Sequence, residues 1–157
     1  MESQAILKSA NGRAVGHLNA LLRGELSAVE TFQHVMAKFG TDAPFELGDC
    51  LRSHQVRVEK LIVRITDLGG QPADSSGLWG SIARLVEGGA SLFGRKSALA
   101  ALEEGEDHGL AQYRELVDEL DLDASSRHLL EAELQPEQRK THDTIRDLCR
   151  ACNEVVA

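Results

Sequence analysis

The stretch Leu18 to Phe32, LNALLRGELSAVETF, constrains the fold more than any other part of this sequence. At 100° per residue, Leu18, Leu22, Val29, Phe32 and Met36 fall within roughly 40° of one line, the apolar stripe of a helix that faces a core. Glu25 lies about 20° from the centre of that stripe. A lone ionised carboxylate there is costly to bury, so it must be neutralised, hydrogen-bonded or bound to a cation. The rest of the chain has to bring partners to Glu25 at its own height.

Met1 to Asn11 shows little pattern and reads as a frayed lead-in or a short helical turn. A first helix is predicted from about Gly12 to Phe39, stopped by Gly40 and the Thr41-Asp42-Ala43-Pro44 restart. A second runs from about Phe45 to Leu68 with Leu47, Cys50, His54, Arg57, Val58, Leu61, Ile65 and Leu68 inward, and Gly69-Gly70-Gln71-Pro72 closes it. Residues 71–97 hold Trp79, Ile82, Leu85, Val86 and Phe93 at helical spacing among five glycines, which predicts a short helix inside a long crossover. A third helix, from about Ser97 to Leu120, turns Leu99, Leu102, Glu106, Tyr113, Leu116 and Leu120 inward. A fourth, from about Ala124 to Val155, carries Leu130, Leu134, Gln138, Thr141, Ile145, Leu148 and Cys152 inward, with a kink at the solvent-facing Pro136. No strand signal appears. Two short links and one long one predict an all-α, four-helix bundle of two antiparallel hairpins in the ferritin-like arrangement, one domain over residues 1–157.

Residues equally far from an antiparallel turn share a height. Glu25 is about 17 residues before the first turn, with His54 and Arg57 about 12 and 15 after it. Glu106 is about 17 before the second turn, with Gln138 and His142 about 15 and 19 after it. Four polar interruptions of four apolar stripes at one level mark a site. Glu25 and Glu106 offer hard oxygen donors, and His54 and His142 offer imidazoles, a set that could hold one divalent ion such as iron, manganese or zinc. Arg57 offers the alternative, because a guanidinium neutralises carboxylates without a metal. His17, His34, His108 and His128 read as surface or edge histidines. Cys149 and Cys152 read as small core residues, since a reactive C-x-x-C pair is expected at a helix N-terminus.

A net charge of −8 without a basic run argues against nucleic-acid binding. No apolar run approaches membrane-spanning length, no signal-like leader is seen, and three cysteines suit a reducing compartment, so a cytoplasmic protein is expected. The apolar stripe of Leu78–Phe93 on a glycine-rich segment predicts self-association, as a dimer, through that crossover or the first hairpin.

Leu18-Asn19, Leu22, Glu25-Leu26, Ala28-Val29 and Phe32 resemble the bacterioferritin first-helix pattern, and Glu106 with Tyr113-Arg114-Glu115 resembles the third-helix ligand segment of that superfamily. The Gly69-Gly70-Gln71-Pro72 turn, the Gly/Trp crossover and Glu104-Gly105-Glu106-Asp107 are similar to an uncharacterised bacterial family of ferritin-like bundles. The resemblance implies Glu25 and Glu106 as iron ligands, with a Glu-x-x-His on each of the other two helices. This chain departs from it there. His54-x-x-Arg57, or Leu51-x-x-His54, stands on the second helix, and His142 follows Arg139 or Gln138 on the fourth, so both bridging carboxylates are missing. A two-iron oxidase is thereby disfavoured. Two readings stay open: a reduced metal site serving metal handling or oxidative stress, and a non-catalytic bundle with a salt-bridged core acting through protein contacts.

Overall fold

The computed structural model describes residues 2–77, 94–119 and 121–154. Among these there is no strand. Helix α1 spans Glu2–Phe39, α2 spans Phe45–Asp67 and α3 spans Arg95–Val117. The fourth rod is built from α4, Ala124–His128, a π-helical turn, Leu129–Leu134, and α5, Gln135–Glu154. Around the bundle α2 packs on α1, α1 on α3, α3 on the fourth rod, and the fourth rod on α2. The predicted crossover helix over Leu78–Phe93 and the inward Leu120 lie outside the described residues.

The turns follow from local chemistry. α1 ends because Gly40 enters the left-handed region at φ 57°, and Pro44 then supplies the extended residue before α2. α2 ends in a Schellman motif, with Gly69 at φ 76°, its N–H bonded to the Thr66 carbonyl, and the Gly70 N–H bonded to that of Ile65. Gly70 also admits close helix contact, since a Cβ there would stand 2.6 Å from both Val15 methyl groups. The second hairpin is pinned at Asp123, which caps α4 by accepting from the Ser125 and Ser126 N–H groups and pairs at 2.6 Å with Arg64 of α2. Arg127 donates to the carbonyl of Val117, the last residue of α3, and to that of Glu119 just beyond it. Asn19 holds the start of the crossover, donating to the Gln71 carbonyl and accepting from the Ala73 N–H.

Two expectations need correction. α1 does not fray before Asn11 but starts at Glu2, a run that holds Ala5, Ile6, Leu7, Lys8 and Ala10 and neither glycine nor proline. The fourth helix does not simply bend at Pro136. Its rod stays helical, with the Gln135 N–H bonded to the Leu130 carbonyl five residues back, and this wider turn accommodates a proline that has no N–H.

Two apolar layers flank the polar one. Leu18, Leu21, Leu22, Leu61, Ile65, Leu116, Leu130 and Leu134 fill one side, and Phe32, Val35, Leu47, Leu99, Leu102 and Ile145 fill the other. Cys50 and Cys149 belong to the second layer, where burial pushes both thiols up to about 12 and removes them as nucleophiles.

Candidate functional site

Between the two layers, Glu25, His54, Arg57 and Glu106 are brought together, each no more than 3% exposed. The His54 ring is the hub. Its Nδ1 lies 2.7 Å from Glu25 Oε2 and its Nε2 lies 2.8 Å from Glu106 Oε1. A carboxylate on each side accepts only, so both ring nitrogens carry protons and His54 is an imidazolium. Phe32 covers the ring, with centroids 5.0 Å apart.

The remaining carboxylate oxygens are also occupied. Tyr113 donates its phenol to Glu25 Oε1 at 2.7 Å. Gln138 donates its amide to Glu106 Oε2 at 2.7 Å, and Thr141 Oγ1 reaches the same oxygen at 3.0 Å. Gly109 makes room for this, because a Cβ there would stand 2.8 Å from the Gln138 nitrogen. Arg57 Nε lies 3.2 Å from Glu25 Oε2, an ion-pair distance without the alignment of a hydrogen bond. Its Nε and Nη1 have no hydrogen-bond partner among the described residues, and its Nη2 lies 2.6 Å from His54 Nδ1. That nitrogen cannot both give its proton to Glu25 and accept one from Arg57. In the imidazolium state it gives, and Arg57 is a like-charged neighbour.

Electrostatics agree with this assignment. Burial alone would raise the Glu25 carboxyl, but the charges of Arg57 and His54 and the bonds from His54 and Tyr113 hold it below its ordinary value. Burial would lower His54, and Arg57 opposes its charge, yet Glu25 and Glu106 hold it above its ordinary value. Burial and the Glu25 charge push the Tyr113 phenol well up, which keeps it a neutral donor.

Of the predicted ligands Glu25, His54, Glu106 and His142, the first three meet and the fourth does not. His142 Nε2 turns to Asp107 at 2.7 Å, and its Nδ1 is 3.3 Å from Asp143. Thr141 takes the inward position beside Gln138 instead. The three that meet do not fit a metal ion as arranged. All four carboxylate oxygens already accept hydrogen bonds, both imidazole nitrogens are used, and Arg57 holds a fixed charge beside Glu25. Among the described residues, no group of three or more His, Cys, Asp or Glu side chains is placed to hold one. A cleft between α1 and α3, bordered by Gly24, Ala28, Gly105 and Gly109, leads to the Glu25, His54 and Glu106 side chains.

The pattern of the family described as Domain of unknown function (DUF2383) matches residues 13–119, which include Glu25, His54, Arg57, Glu106 and Tyr113 but stop short of Gln138 and Thr141. No curated protein and no solved structure matches the chain. No helix among the described residues is long and apolar enough to cross a membrane.

Proposed function

Because the chain belongs to this uncharacterised family, we propose a function from its core: a cytoplasmic, ferritin-like four-helix bundle that is not an enzyme and works through protein contacts, self-association included. The observation that carries this is charge balance. Glu25 and Glu106 are negative, His54 and Arg57 are positive, and the buried cluster is neutral with no further ion. Such a cluster fixes which helices meet and at what height, a role in specificity that buried polar groups fill in other folds.

The test is thermal unfolding of the parent and of Arg57→Ala, each with divalent ions and with chelator. Removing Arg57 strands a buried carboxylate, so a loss of about 3–5 kcal/mol is expected, the same under both conditions. The runner-up is a metal-handling protein with Glu25, His54 and Glu106 as ligands to iron, manganese or zinc. The α1–α3 cleft favours it, since it gives an ion a way in. A small loss in Arg57→Ala, with metal-dependent stabilisation of the parent, would replace the first reading with the second.

A further inference from the structure

The outward face of α2 has the same spacing from either end, with every charge reversed in sign. Along it stand Arg52, Val56, Glu59, Lys60, Val63 and Asp67, within roughly 100° of arc and turned away from the buried His54, Leu61 and Ile65. Val56 is 47% exposed and Val63 is 60% exposed, unusual values for valine in a helix middle. Shallow grooves between α2 and the fourth rod run beside the stripe. One is bordered by Arg52, Val56 and Lys60, the next by Lys60, Val63 and Asp67.

We propose that this face is an isologous dimer contact in which α2 packs antiparallel on α2 of a second copy. A two-fold axis between Glu59 and Lys60 sets Val56 against Val63, Glu59 against Lys60 and Arg52 against Asp67, each pair occurring twice. The charges decide the occupant, because every ionic position meets its opposite. Within one chain Arg52 pairs with Asp49 and Lys60 pairs with Glu133, while Glu59 and Asp67 form no ion pair among the described residues. The second copy supplies what these two acids lack. An interface of one helix face with two valines from each chain is small, which places the dimer among weak, concentration-dependent associations. The proposal rests on the reading of the bundle as a protein-contact module and names its partner. It depends on the surface alone, so its failure is separable from failure of the Arg57 test on the core.

Sedimentation velocity of the full chain over a concentration series tests it, with Arg52→Asp, Asp67→Arg and an equimolar mixture of the two. Alone, each variant opposes like charges at two places, and dimerisation should weaken by at least about tenfold. In the mixture every pair is opposite again, so association at the parent's strength should return as a heterodimer. Unchanged far-UV circular dichroism checks that these exposed substitutions leave the fold intact. A parent that stays monomeric at high micromolar concentration overturns the proposal. Variants that dimerise like the parent, or a mixture that fails to recover, overturn it equally.

Discussion

His54 on α2 reaches Glu106 on α3 across the diagonal of the bundle, Nε2 to Oε1 at 2.8 Å, while its other nitrogen holds Glu25 on the neighbouring α1. One ring therefore ties the first hairpin to the second. The tie depends on a proton at each nitrogen, and the proton at Nδ1 is shared against the opposing charge of Arg57.

The cluster should therefore give a bounded pH window of stability. Glu25 is held below its ordinary 4.5, so its contribution is intact above that value and is lost as pH falls through the folded value. His54 is held above its ordinary 6.5, so its contribution is intact below that value and is lost as pH rises through the folded value. The cluster's contribution should be greatest between these two ordinary values. Urea unfolding across the range measures this, with His54→Gln beside it. A parent whose stability rises above neutrality, or a His54→Gln profile of the same shape, would count against the imidazolium.

Tyr113→Phe removes only the hydroxyl that serves Glu25 Oε1. Leaving a buried carboxylate oxygen unserved should cost about 1.5–3 kcal/mol, the range for hydrogen bonds to charged groups. It should also raise the Glu25 carboxyl, so the acid limb of the stability curve moves to higher pH. Denaturant unfolding at neutral and acid pH separates the two effects. An equal loss at neutral and acid pH, with the acid limb unmoved, would mean that Tyr113 contributes packing alone.

Gly70→Ala should destabilise by about 1–3 kcal/mol through overpacking, because its Cβ meets Val15 at 2.6 Å. The remedy is specific. Val15→Ala in the same chain should recover part of the loss, a coupling that a double-mutant cycle reads directly. Strict additivity of the two substitutions would show that α1 and the end of α2 do not touch there.

His142→Ala should change stability little, within about 0.5 kcal/mol, because its partners Asp107 and Asp143 are exposed. The same substitution should leave any divalent-ion response of the protein unaltered. A variant that lost such a response would return His142 to the site.

Much of this was legible in the sequence because helical phase is cheap to read. On α2, Leu47, Cys50, His54, Arg57, Leu61 and Ile65 are buried as their spacing predicts, and Glu25 and Glu106 share the expected layer. On α1 the single stripe misled. Val29 and Met36 are half-buried, whereas Leu21 and Val35 are buried, because α1 packs against both α2 and α3 and needs a wider face. Tyr113 was read as inward but not as part of the polar layer. It sits seven residues beyond Glu106, yet its side chain spans the gap, and counting residues to a turn locates Cα atoms rather than the ends of long side chains. His142 fell to the same kind of arithmetic, since counting from the turn gives its height, while its phase, about 100° past the inward Thr141, turns it to Asp107.

The π turn before Pro136 bears on how the fourth helix can change over generations. A π turn is an α-helix holding one supernumerary residue, and Leu129–Leu134 holds it just ahead of the proline. Excising one exposed residue there, such as Ala132, would return the rod to ordinary winding and swing everything beyond it by about 100°. Gln138 and Thr141 would leave Glu106, and a different set of side chains would face the core. In a lineage of such chains, whether the fourth helix serves this cluster is set by a single count of residues in a surface turn, ahead of any choice of amino acid at the site.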